Sequence, residues 1–166
     1  MPSLIIADDK IKQKCQVFTP PDIVKQMLDT AGYQDGLFGK KVLENSAGNG
    51  EILAQIVKRY IESCEKQEFL PQKIKKGLEK DIVAYEIDID RVEECKSRLN
   101  DITSKHHISE VCWNIRCEDY LQTNSKEVFD FIIGNPPYIG YNECCKQNQL
   151  WTNKIKDKKE KLLGIW

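Results

Sequence analysis

With 166 residues, 40% of them hydrophobic and 31% charged, the chain is long enough for one domain with its own core and too apolar to stay disordered. Its net charge of −1 excludes a globally basic surface, so contact with nucleic acid has to rest on a local patch. No apolar run approaches the ~20 residues of a membrane helix, and MPSLIIADDK lacks the basic start and long apolar stretch of a secretion signal, so a cytoplasmic location without a membrane partner is expected.

The first helix signal is FTPPDIVKQMLDTAG, Phe18–Gly32. Thr19 reads as its N-cap, Pro20 as the first helical residue and Asp22 as the far member of a capping box. Ile23, Val24, Met27, Leu28 and Ala31 form one apolar face, and Gly32 is the stop. Lys40–Asn45 reads as a short buried strand, followed by the turn SAGNG. From Glu51 a helix carries Ile52, Leu53, Ile56, Val57, Tyr60 and Ile61 on one side, so strand, glycine turn and helix open a βαβ unit.

Between Ser63 and Lys80 the chain is polar and lysine-rich, with a short helix expected near Gln72–Leu78. Asp81–Ile87 reads as the second strand. Asp88 caps the next helix, whose Ile89, Val92, Cys95, Leu99 and Ile102 share a face. Val111–Cys117 is the third strand, closed by EDYL, and Val128–Gly134 the fourth. Strands alternating with helices predict an α/β fold with a parallel sheet and right-handed crossovers. Residues 144–166 are a polar, lysine-rich tail, whose run Lys154–Lys161 reads first as a solvated helix face and second as a phosphate contact.

The seven cysteines, Cys15, Cys64, Cys95, Cys112, Cys117, Cys144 and Cys145, form no CxxC pair, so reduced thiols are expected. Neither Cys144–Cys145 nor His106–His107 has a familiar metal-ligand spacing, and no metal site is expected.

Ligands of open α/β sheets bind at the carboxyl ends of the strands, where strand order reverses. All four strands end on a polar or glycine signature. After the first stands Glu44-Asn45-Ser46-Ala47-Gly48-Asn49-Gly50. Its two glycines permit close backbone approach, and the helix behind it offers free N–H groups, although a plain tight turn has the same look. After the second stands Glu86, whose carboxylate can accept from a ribose diol; helix capping is the alternative, and Asp88 fits that role. Glu86 lies 36 residues beyond Gly50, well past the ~20 of a dinucleotide fingerprint, and the loop has no third glycine, which disfavours a pyrophosphate ligand.

After the third strand stands Asp119. Its carboxylate can accept from an adenine amino group while Tyr120 or Ile87 covers a ring face, the alternative being an ordinary acidic loop. After the fourth stands Asn135-Pro136-Pro137-Tyr138. Pro136 has a fixed φ and no N–H, and Pro137 holds it extended, so its carbonyl is a rigidly aimed acceptor. The Asn135 side-chain carbonyl is a second. Two acceptors side by side suit the two hydrogens of one –NH₂ group, and Tyr138 offers a surface for stacking a planar group.

Over residues 15–141 the sequence resembles the S-adenosylmethionine-dependent amino-methyltransferases, in particular the DNA adenine-N6 methyltransferases of the gamma arrangement. FTPPDIVKQM looks like their N-terminal motif, which implies Phe18, Thr19 and Pro20 at the methionine end of the cofactor. VLENSAGNGEIL resembles their glycine loop, usually written Asp-Pro-Ala-Cys-Gly-Ser-Gly. Glu44 stands for the acid, Asn45 for the proline and Asn49 for the serine. The resemblance implies Glu44, Asn45, Ser46, Ala47, Gly48 and Gly50 around the cofactor, Glu86 at its ribose and Asp119 at its adenine, where Ile87 and Tyr120 are the ring-covering candidates. Asn135, Pro136, Pro137 and Tyr138 correspond to the catalytic tetrapeptide.

What the resemblance implies is therefore a Rossmann-like class I methyltransferase fold, present in part, with S-adenosylmethionine as cofactor. A base-flipped adenine in DNA is the substrate, and a restriction endonuclease or a complementing chain is the protein partner. Residues 1–143 are expected to be the N-terminal part of the catalytic domain and 144–166 its truncated continuation. The family's sheet has more strands than the four read here, so a fragment of a larger enzyme is expected, with a non-catalytic cofactor-binding module as the second reading. Protein-glutamine and RNA amino-methyltransferases share the chemistry and stay open as alternatives.

Overall fold

The computed structural model describes residues 19–136. They form α1 (Pro21–Thr30), β1 (Val42–Glu44), α2 (Glu51–Glu65), α3 (Pro71–Asp81), β2 (Ile82–Glu86), α4 (Ile89–Ser104), β3 (Asn114–Cys117) and β4 (Phe131–Ile132), with a 3₁₀ turn at Tyr120–Gln122 before β4. The sheet order is β3-β2-β1-β4, and every pairing is parallel. The chain steps outward from β1 through β2 and β3, then returns to pair β4 on the other edge of β1. Strand order thus reverses between β1 and β4, in a partial Rossmann-like α/β fold of the kind the alternating elements predict.

Alternate residues of β1 and β2 face opposite sides of the sheet. Val42, Ile82 and Ala84 join Leu53, Ile56, Val57 and Tyr60 of α2, Val92, Cys95 and Leu99 of α4, and Val24 and Leu28 of α1 in the main core. Leu43, Val83 and Tyr85 form a smaller cluster on the other face with Tyr120 and Phe129. Burial on both faces is why β1 and β2 read as unbroken apolar runs without alternation. Each fully buried Leu or Ile here contributes about 1.5–3 kcal/mol. No described helix is long and apolar enough to cross a membrane.

Several local expectations change. Pro20, not Thr19, is the N-cap of α1, with φ −57° and ψ 146°, and no side chain caps the helix. A residue before proline is held out of the α region. With Pro21 next in line, Pro20 stays extended and the helix starts one residue late, so Asp22 completes no capping box. On the α1 face Val24 and Leu28 are buried, while Ile23 and Ala31 are exposed. Ile89, in the first turn of α4, is likewise exposed.

The connection between α2 and β2 holds a full 11-residue helix, and Asp81 ends that helix where a strand start is expected. Its buried carboxylate accepts from the Tyr60 hydroxyl at 2.6 Å and the Gly39 N–H at 2.7 Å. β3 starts only at Asn114, because the Trp113 N–H turns back to the Val111 carbonyl at 3.1 Å and keeps Val111–Trp113 out of the ladder. β4 starts at Phe131, because Asp130 and Phe131 both donate to the one carbonyl of Lys41, at 2.9 and 3.0 Å.

Candidate active site

Sheet register decides which strand ends meet. Glu44 pairs with Ala84, so β2 runs two residues further and brings Glu86 beside the loop leaving β1. On the other edge Leu43 pairs with Ile132, which brings Gly134 level with Asn45. Cys117 pairs with Glu86 and leads into Asp119. Along the rim, the end of β3 with Asp119, the end of β2 with Glu86, the 45–50 loop and the end of β4 with Asn135 follow the strand order. Three strand spacings of about 4.8 Å spread this row over roughly 14 Å.

The loop is laced to β2. Ala47 donates its N–H to the Tyr85 carbonyl at 2.9 Å, and Gly48 donates to Glu86 Oε2 at 2.7 Å. Glu86 Oε1 also accepts from the N–H groups of Ile87 and Asp88, at 2.9 and 3.1 Å. Each carboxylate oxygen has two lone-pair sites, so Oε2 keeps one for a further donor. Gly48 has φ +54° and Gly50 φ +84°, a region that L side chains rarely adopt. Gly50 is also the residue before α2, and a Cβ on it would lie 2.5 Å from Cys95 Sγ. The loop therefore rests on α4, through a cysteine that burial, followed by the Glu44 charge, pushes up to about 12.

Beneath the loop Glu44 is 1% exposed. Burial first, and then the Glu86 charge, hold its carboxyl well above the usual carboxylate range, with the Leu53 N–H partly offsetting them. Glu44 Oε2 and Ser46 Oγ are buried and make no hydrogen bond among the described residues. Asn45, Ser46 and Gly48 are half-buried, and Ala47 is buried. Asp119 caps the 3₁₀ turn: Oδ1 accepts from the Leu121 N–H at 2.9 Å and Oδ2 from Gln122 Nε2 at 2.7 Å. The Tyr120 ring packs edge-on against Tyr85, centroids 5.1 Å apart, whereas Ile87 is 62% exposed at the rim. Asp88 caps α4 as expected, accepting from the Asp90 N–H at 3.0 Å.

At the far end Asn135 Nδ2 donates to Thr19 Oγ1 at 3.1 Å, and Pro136 is exposed. Thr19 is buried and Pro20 exposed, so this expected cofactor-side pair splits, with only Thr19 facing Asn135. A groove of about 470 Å³ lies between α1 and the end of β4, lined by Ile23, Met27, Ile133 and Gly134 among others. Phe18, Pro137 and Tyr138, the other expected site residues, lie outside the described residues. Two positions join the site that the sequence reading did not single out for it. Cys95 supports Gly50. Gly134 lies so close to the loop that a Cβ there would be 2.9 Å from Asn45 Oδ1. A glycine directly before Asn135 is the signal that marks it in the sequence.

A family model described as Eco57I restriction-modification methylase matches residues 26–163. The Type II methyltransferase M.BstVI of Geobacillus stearothermophilus is 30% identical over 135 residues, 74% of this chain and 24% of that protein. The Type II methyltransferase M.XhoI of Xanthomonas vasicola is 28% identical over 132 residues, again 74% and 24%. The tRNA1(Val) (adenine(37)-N6)-methyltransferase of Haemophilus influenzae is 26% identical over 110 residues, 66% of this chain and 39% of that protein. The chain spans about a quarter of the length of these Type II relatives. Among solved structures, a nuclease-deletion mutant of the Type ISP restriction-modification enzyme LlaGI, in complex with a DNA substrate mimic, superposes with a TM-score of 0.51 at 17% identity, covering 72% of this chain and 11% of that one. That likeness is one of fold.

Proposed function

The chain belongs to the Eco57I restriction-modification methylase family, and we propose that it is the cofactor-binding and catalytic part of a DNA methyltransferase acting on the N6 amino group of adenine. Residues 1–143 are the start of the catalytic domain and 144–166 continue it. Sequence recognition belongs to another part of the protein, and a restriction endonuclease or a complementing chain is the partner.

The observation that carries this reading is the order of groups along the rim. An adenosine joined to an amino-acid chain presents a ring amino group, a ribose diol and a polar chain, in that order. The strand ends offer Asp119, Glu86 and the glycine loop in the same order and finish at Asn135. The donor set fits S-adenosylmethionine. Glu86 keeps acceptor capacity for hydroxyls, Gly48 and Gly50 allow close backbone approach, and Ser46 Oγ and Glu44 Oε2 have no hydrogen bond among the described residues. Thr19 and Pro20, with Phe18, complete the cofactor side, and Ile87 with Tyr120 flanks the adenine.

When bound, S-adenosylmethionine supplies an electrophilic sulfonium methyl group. The acceptor chemistry belongs to the chain. An adenine amino nitrogen is a poor nucleophile because its lone pair is delocalised into the ring. Asn135 Oδ1 and the Pro136 carbonyl would each accept a hydrogen bond from one of its N–H groups, which favours a pyramidal nitrogen and stabilises the positive charge that develops there as the N–C bond replaces the S–C bond; one N–H proton is then lost to solvent. Pro137 keeps the Pro136 carbonyl aimed. Tyr138 stacks on a base flipped out of the duplex.

Isothermal titration with S-adenosylmethionine, followed by transfer of a tritiated methyl group to DNA, RNA and protein substrates, tests the proposal. Saturable binding is expected, with label on adenine N6 of DNA and no label after Asn135→Ala or Tyr138→Ala in the complete enzyme. Absence of binding, or undiminished transfer by those variants, overturns it. The relative named as a tRNA adenine-N6 methyltransferase supports an adenine amino acceptor and makes tRNA the second substrate in the assay.

A further inference from the structure

Resting on the catalytic role of Asn135 just given, we propose that Thr19 is a positioning residue for Asn135, anchoring its side-chain amide where the carbonyl end can meet the target amino group. The two residues are 116 positions apart in the chain, yet Asn135 Nδ2 lies 3.1 Å from Thr19 Oγ1. An amide is useful as an acceptor only with its carbonyl end turned to the substrate. Rotation about the last side-chain torsion of asparagine is soft, so a partner outside the residue is needed to hold the amide in place. Among the described residues, the ladder bond nearest to it on this strand is the Ile133 N–H to the Leu43 carbonyl at 2.9 Å, two residues earlier.

Thr19 is suited to the task because it is not used as a helix cap. The double proline makes Pro20 the N-cap and leaves α1 without a side-chain cap. The Thr19 hydroxyl is thereby free for a tertiary contact, and the residue is 8% exposed, so the acceptor side of a part-buried bond is set into the protein. Accepting from Nδ2–H leaves Asn135 Oδ1 to accept from a substrate. On the other flank Gly134 abuts the Asn45 side chain, so the backbone entering Asn135 is held by the glycine loop as well. The segment expected to hold only the cofactor thus also sets the acceptor.

Two measurements on the full chain decide it. In the proton–nitrogen correlation spectrum, the Asn135 side-chain amide pair is assigned by its loss in Asn135→Asp. Thr19→Val is expected to move that pair toward the position of a free amide, and Thr19→Ser to restore it. At saturating S-adenosylmethionine, Thr19→Val is expected to slow methyl transfer about tenfold, the worth of one well-placed hydrogen bond, with Thr19→Ser recovering most of the rate. An amide pair unmoved in Thr19→Val, or an undiminished rate, overturns the proposal; if that variant fails to fold, Thr19→Ala takes its place. If the unaltered chain transfers no methyl group, the activity assigned to it fails, and the amide pair alone decides the contact.

Discussion

Gly48 donates its main-chain N–H to Glu86 Oε2 across 2.7 Å, joining the turn after β1 to the last residue of β2, 38 residues later in the chain. One carboxylate thus ties the glycine loop to the end of β2 and to the first residues beyond it.

Glu86→Gln replaces one of the two acceptor oxygens by a donor. It is expected to weaken S-adenosylmethionine binding by roughly tenfold to hundredfold, since hydrogen bonds to charged groups contribute about 1.5–3 kcal/mol. Calorimetric titration measures this, and an unchanged affinity would remove Glu86 from the site.

Gly50→Ala places a methyl group 2.5 Å from Cys95 Sγ in a backbone conformation with φ +84°. Crowding and backbone strain together are expected to cost about 2–4 kcal/mol, read as a drop of several degrees in melting temperature. Adding Cys95→Ala removes the sulfur but not the strain. The double variant is therefore expected to recover part of the loss, and simple additivity of the two changes would show that the loop does not rest on α4.

Glu44 predicts a pH dependence of stability. In the unfolded chain its carboxyl loses its proton above about pH 4.3, whereas in the folded chain burial and Glu86 hold the proton to higher pH. Between those two values the folded state binds more protons. Its contribution is full below the unfolded value and is lost as pH rises through the folded one, at most about 1.4 kcal/mol per pH unit. Glu127 and Asp130, whose values are lowered by the Arg116 hydrogen bond and the Lys41 N–H respectively, act in the opposite sense at more acid pH. Melting curves of Glu44→Gln are expected to lose the decline above pH ~5 and to lie higher at pH ~8. An identical decline in the variant means another group is responsible.

Thiol reactivity separates the described cysteines. Cys64 and Cys95 are buried and their thiols are pushed up to about 11 and about 12, chiefly by burial, while Cys112 and Cys117 are exposed. Peptide mapping after brief alkylation of the native chain is expected to find label on Cys112 and Cys117 and none on Cys64 or Cys95. Early labelling of Cys95 would mean that the Gly50 contact opens in solution.

The α/β class, the order of the elements and the four polar strand ends were legible in the sequence, because each rests on local chemistry. Apolar periodicity marks α2 and α4, glycines mark the loop, and the prolines mark the end of β4. Element limits were less legible where a distant group decides them. The Trp113 N–H turned aside, and the carboxylate of Asp81 found partners in Tyr60 and Gly39. The double proline at Pro20–Pro21 is a local signal with a non-local outcome, since it stops Thr19 from capping α1 and leaves its hydroxyl to Asn135.

By itself the sequence determined that a glycine loop, two acids and an Asn-Pro-Pro-Tyr end stand after successive strands, because these residue types and spacings are written along the chain. Only the tertiary structure decided that they form one row in the order Asp119, Glu86, loop, Asn135, with Glu44 buried beneath and Thr19 bonded across 116 positions. Strand order and register are properties of how separate segments pair. A parallel sheet lets β4 return to the far side of β1, and no local preference in either strand encodes that choice.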